Sequence, residues 1–202
     1  MRIKLLALIA VCISAWPIYA TTFSRLSAAE IYQHSDFVGL VEIETGHTIS
    51  SGDEKCGVIY TANVIDQFKG AAMESIQFGP RPGYGVGLQY LAFLTQLGKD
   101  QRFLNSTNSV SKARRNEFLE ICGPTQITWQ VAHSAIGIWE LTWATELDNR
   151  LGFAVPTRYI YFPDSVAAIE GNFDKKDRDV DMRWFRSDDV LNHLRMIAED
   201  GS

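Results

Sequence analysis

Residues 56–70, CGVIYTANVIDQFKG, constrain the fold more than any other stretch of this chain. Val58, Tyr60, Ala62 and Val64 fall on one face, and Ile59, Thr61, Asn63 and Ile65 fall on the other. A strict period of two is a strand and not a helix. Thr61 and Asn63 mark the wetter face, and Phe68 with the Lys69-Gly70 turn ends the run. A strand with one apolar face must find further strands to bury it, so the flanking sequence was read for partners.

Partners precede and follow it. Ser27 and Glu30 form a capping box, with Leu26 and Ile31 at the staple positions, so a short helix starts there and ends near Ser35-Asp36. Phe37 to Glu44 reads as a strand with Phe37, Gly39, Val41 and Ile43 on one side, while Val38 and Leu40 make the other side apolar too. That is the pattern of a strand covered on both faces. Residues 45–55 are polar with two glycines and read as a loop. Ser75 to Phe78 is a shorter strand, residues 81–87 a glycine-rich connection, and Leu88 to Leu97 a strongly apolar strand. After a long polar connection (98–116), Phe118 to Cys122 and Thr125 to Val131 are further strands. Ala135 to Trp143 and Arg158 to Phe162 fit strands or a hairpin-like extension. Ser187 reads as the cap of a last helix, with Val190, Leu191, Leu194 and Ile197 as its buried stripe.

The ends and the charge bound the setting. Arg2 and Lys4, the apolar run from Leu5 to Ala15, and Pro17 to Ala20 have the form of an export signal, with cleavage expected after Ala20. Ile9-Ala10-Val11-Cys12 has a faint lipoprotein character, but Val11 suits a lipidated cysteine poorly. Losing Arg2 and Lys4 takes the net charge from −5 to −7. With no basic run, nucleic acid is not the expected partner. The expected location is periplasmic or secreted, without a membrane span. Export also leaves two cysteines, Cys56 and Cys122, which most simply form one disulfide. It would close a loop of about 65 residues, worth ~4 kcal/mol in the chain-entropy treatment. A catalytic or metal-binding cysteine is the alternative.

The ordered pieces carry a resemblance. Ser35-Asp36 before the first strand, Phe68-Lys69-Gly70 after the second, and Gly87-Leu88-Gln89-Tyr90-Leu91-Ala92-Phe93-Leu94 together resemble the tissue-inhibitor-of-metalloproteinases-like family, the netrin-like OB-fold, in its bacterial members. The match spans residues 26–122, about half of the chain. It implies a mainly β fold: an OB-fold-like five-stranded barrel, with the short N-terminal helix, a C-terminal β extension and a C-terminal helix. Val58, Tyr60, Ala62 and Val64 would face its interior, and Cys56 would be tied to Cys122. The expected organisation is a signal at 1–20 and one domain at 21–202, with a core at 26–133 and an elaboration at 134–202. In the animal inhibitors an N-terminal cysteine grips the catalytic zinc of a protease through its amine and carbonyl. Here the expected mature start is Thr21-Thr22-Phe23, which has the amine and carbonyl without the disulfide, so no inhibitory residue is carried over.

His34, His47, His133 and His193 have no metal-ligand spacing, and each reads as structural or solvated. His133 lies eleven residues past Cys122, leaving a Cys/His nucleophile pair open only if that thiol is free. Asp174, Asp177, Asp179 and Asp181 make an oxygen-rich loop, but the glycine of a calcium loop is missing and Lys175, Lys176 and Arg178 offset the charge. Gly83, Gly85 and Gly87 precede a strand, so they form a turn or bulge and not a phosphate cradle. Trp129, Trp139, Trp143 and Trp184, with Tyr159 and Tyr161, concentrate aromatics in the last third. Packing is one reading of them; a contact surface is the other, for which Trp129, Trp139, Trp143, Tyr159 and Tyr161 are the candidates. The sequence thus leads to a non-catalytic module, without cofactor or metal, that binds a protein or an envelope component. A metalloprotease-inhibitor-like protein and a periplasmic enzyme are the alternatives.

Overall fold

The computed structural model describes residues 25–96, 128–144, 150–169 and 182–200. The polypeptide is mainly β. A two-residue strand β1 (Leu26–Ser27) leads into helix α1 (Ala28–His34). Strands β2 (Phe37–Ser51), β3 (Glu54–Lys69), β4 (Ser75–Gly79) and β5 (Gln89–Gln96) follow, then β6 (Trp129–Val131). A 3-10 turn (Ser134–Gly137) precedes β7 (Ile138–Ala144) and β8 (Arg150–Pro156). The short β9 (Ile160–Tyr161) and β10 (Ala168–Ile169) come next, before β11 (Met182–Arg186) and helix α2 (Ser187–Asp200).

Five strands close on themselves. Hydrogen bonding runs β5-β2-β3-β4-β6, and β6 returns to β5. All contacts are antiparallel except β4 with β6, where Phe78 lies beside Trp129 in parallel. The result is a mixed, closed, five-stranded barrel consistent with an OB-like arrangement. Closure leaves no edge among the ring strands where they pair. The alternation read from the sequence decides what faces in. Phe37, Val41, Ile43, Tyr60, Ala62, Tyr90, Ala92 and Leu94 form the interior, with Val58 and Val64 packed against it.

The opposite faces of the same strands are not solvated. Val38, Leu40, Leu91 and Phe93 belong to a second core with Trp139, Phe153, Val155 and Phe185. These residues come from the C-terminal strands, which continue the sheet from β5 in the order β7-β8-β11-β10. Ile31 and Tyr32 of α1, and Val190 and Leu194 of α2, complete it. β5 is therefore buried on both sides, as its unbroken apolar run requires. β1 joins the extension by pairing in parallel with β9.

Two expectations change. Residues 45–51 are not a loop: β2 continues to Ser51, turns at Gly52-Asp53, and pairs along its length with β3. The arm beyond Ile43 is largely exposed, so nothing selects apolar residues there, and its polar composition concealed a strand. Thr45, Thr48 and Ile49 are β-branched, which suits an extended backbone. Ser187 is the first residue of α2, and its hydroxyl donates to the Leu151 carbonyl at 3.2 Å. It ties the helix to β8. The expected strand Phe118 to Cys122, the disulfide partner Cys122, the signal segment and the Asp174–Asp181 loop lie outside the described residues.

Candidate functional site

Two of the motifs that carried the resemblance, and the Leu94 end of the third, meet at one end of the barrel. Ser27 caps α1 by accepting from Glu30 N–H at 3.0 Å, and Glu30 accepts from Ser27 N–H, completing the box. Ser35 ends the helix, its hydroxyl donating to the Ile31 carbonyl at 2.7 Å. The Lys69 ammonium then donates to the Tyr32 and Gln33 carbonyls, both at 2.9 Å. This places a cation on the negative end of the helix. Burial pulls the Lys69 pKa down, and nearby Asp36 acts in the opposite sense. Gly70 has φ of 105°, and a Cβ there would meet the Asp36 carbonyl oxygen at 2.9 Å. Asp36 accepts from Gln96 N–H at 3.0 Å. Ser35-Asp36 and Phe68-Lys69-Gly70 thus form a joint that docks α1 on the barrel.

The glycine-rich connection covers another part of the barrel. Tyr60 Oη accepts from Gly83 N–H at 3.0 Å and Tyr84 N–H at 3.3 Å, and Tyr90 Oη accepts from Gly85 N–H at 2.9 Å. The Tyr84 ring lies 5.1 Å from Tyr60, 5.9 Å from Phe78 and 5.6 Å from Tyr90, which puts it inside this aromatic nest. Burial pushes its phenol pKa up to about 12. The connection is structural: backbone N–H groups that a phosphate would need are spent on tyrosine hydroxyls.

The aromatic residues proposed from sequence do not share one surface. Trp139 is 1 % exposed, stacks near Phe93 at 4.8 Å, and donates its indole N–H to the Ile136 carbonyl at 2.7 Å. It is core, because it lies opposite Leu91 on the face that the helices cover. Trp129 packs edge-on to Phe37 at 6.3 Å inside the barrel. Tyr159 is half-buried against the second core. Tyr161 is 44 % exposed but lies on β9, with Arg25 over its ring at 5.8 Å. Among the described residues Trp143, at 62 % exposure, is the aromatic most open to solvent.

Trp143 lines a cleft of about 400 Å³ with Arg150, Leu151, Arg186, Ser187 and Asp188. The local sequence explains the placement. Trp143 sits opposite Leu151, on the face that carries Phe153 and Phe185 into the core, one position beyond the covered part. Arg150 opens β8, Arg186 closes β11, and α2 begins at once after it. Three strand ends and a helix start therefore converge. Arg150 and Arg186 lie 36 positions apart and look like ordinary surface charge in the sequence; the β8–β11 register, with Arg186 opposite Gly152, brings them together. Among the described lining residues there is no histidine, cysteine or lysine, and Ser187 spends its hydroxyl on Leu151. Two guanidiniums beside an indole can bind an anion and an apolar group.

The histidines are dispersed. His47 is on the exposed hairpin opposite Ile59. His133 is 6 % exposed, has φ of 50°, and lies 5.8 Å from the His34 ring. His193 is half-buried, with its ring 6.1 Å from Phe162, and desolvation pulls its pKa down. Among the described residues no three His, Cys, Asp or Glu side chains are grouped as a metal site would need. No described helix is long and apolar enough to cross a membrane.

Fold and cleft together define a closed mixed barrel carrying a sheet-and-helix layer, with one aromatic and two guanidiniums at a shared rim. In comparisons with known proteins, no family model, no curated protein and no solved structure matches the chain.

Proposed function

We propose that this protein is an exported, non-catalytic binding module whose partner is another protein of the cell envelope. The observation that carries the reading is Trp143, a large aromatic held open at the rim of a cleft when every neighbouring aromatic is covered. Aromatic anchors flanked by arginine dominate protein contacts, because they offer area at little entropic cost. The test is covalent capture from native envelopes with the processed protein as bait. Trp143→Ala is expected to abolish a specific, saturable partner band while leaving the melting curve unchanged. Equal capture by both proteins would refute the reading.

The netrin-like, inhibitor-like reading is the second. It is supported by the strand order of the barrel and by the joint between Ser35-Asp36 and Phe68-Lys69-Gly70. It requires that protein beginning at Thr21 inhibits a zinc endopeptidase, and that blocking its amine removes the inhibition. Both readings include a Cys56–Cys122 disulfide. Cys56 is buried at the start of the central hairpin. Titration of the unfolded, unreduced protein is expected to find no free thiol from these two residues; two reactive thiols would reopen cysteine chemistry.

A further inference from the structure

We infer that the Trp143 cleft recognises a carboxylate-bearing segment of the partner, an acidic side chain next to an apolar or aromatic one. This rests on the binding-module reading and specifies its ligand chemistry. The Arg150 and Arg186 side chains are exposed and make no hydrogen bond or ion pair with any described residue, whereas Arg195 is engaged by Asp66 at 2.9 Å. The described lining residues set two guanidiniums against one carboxylate, Asp188, on a chain whose net charge is −5. Asp188 stands in the first turn of α2, where the helix end already favours a negative charge. Among the described residues the cleft therefore carries a net positive charge on an acidic molecule. Arginine forks match carboxylates in two-point geometry, and the exposed indole supplies a flat apolar wall beside them. Leu151, across from Trp143, continues that wall. The charge of the described lining favours an acidic segment over a basic one.

The experiment follows the indole N–H resonance of Trp143 in ¹⁵N-labelled protein, assigned by its loss in Trp143→Phe. The probes are the peptides acetyl-Phe-Glu-Glu-amide and acetyl-Phe-Gln-Gln-amide. The acidic peptide is expected to shift the resonance saturably, more weakly as salt rises, and the neutral peptide to bind more weakly. Arg150→Gln and Arg186→Gln are each expected to lower affinity about twofold to fivefold, as for exposed ion pairs, with little change in melting temperature. Identical shifts with both peptides, or full affinity in the doubly substituted protein, would overturn the inference. Partner capture separates the two levels. Capture that needs Trp143 but tolerates both arginine changes removes the acidic ligand and keeps the module; capture that ignores Trp143 removes the module reading itself.

Discussion

Tyr60 and Tyr84 sit in one aromatic nest with opposite hydrogen-bonding fates. Tyr60 Oη accepts two backbone N–H groups, while the buried Tyr84 Oη has no hydrogen-bond partner among the described residues. An unpaired buried hydroxyl costs about 1–3 kcal/mol, so its removal is favourable and the loss of a used one is not. Tyr84→Phe is expected to be neutral or stabilising, and Tyr60→Phe to cost about 1–3 kcal/mol, by urea denaturation. The Tyr84 phenol, raised to about 12, also makes stability fall with rising pH. The unfolded chain releases this proton near 10 and the folded one near 12, so the loss develops across that window. His193 acts at the acidic side. Its depressed pKa means that the unfolded state takes the proton first, so stability falls as pH drops below the ordinary histidine range. His193→Gln is expected to flatten the stability profile between pH 7 and 5; an unchanged slope would remove this cause.

At the level of elements, two tryptophans of β7 make the contrast between packing and contact measurable. Trp139→Ala empties a core site and is expected to cost about 3–5 kcal/mol, whereas Trp143→Ala stays within about 0.5 kcal/mol. The cause is position along one strand: Trp139 lies inside the core shared with the helices, and Trp143 at its open rim beside the first turn of α2. The sequence shows both residues on the same face but not where the cover ends. Strands with a half-buried pattern, Phe37 to Glu44 and Val58 to Ile65, were legible from alternation alone. The rest of β2 was hidden by its polar composition. β8 was hidden because Gly152 and Pro156 interrupt its pattern, yet Gly152 is required by packing: a Cβ there would lie 2.3 Å from both the Phe185 carbonyl oxygen and the Trp184 ring.

For the molecule as a whole, the two cores share β2 and β5, so neither layer has a private interior. Phe37 and Leu94 face the barrel lumen while Val38 and Phe93, their chain neighbours, face the second core. Removing residues 134–202 would bare Val38, Leu40, Leu91 and Phe93 to water. That truncated chain is expected to bind a hydrophobic dye and to lose cooperative unfolding, while the intact protein unfolds in one transition by both circular dichroism and tryptophan fluorescence. Separate transitions for barrel and extension would show the layers to be independent.

Local alternation by itself determined which side chains of β2, β3 and β5 turn inward, because the pleat leaves a strand only two faces. The capping box likewise placed α1, since its two reciprocal bonds lie within four residues. Tertiary structure alone decided the rest. Barrel closure depends on the pairing of β6 with both β4 and β5, a meeting of segments distant along the chain that no local period encodes. The cleft has the same origin: Trp143, Arg150 and Arg186 acquire a common chemistry only through the register of three strands and the point at which the helical cover stops.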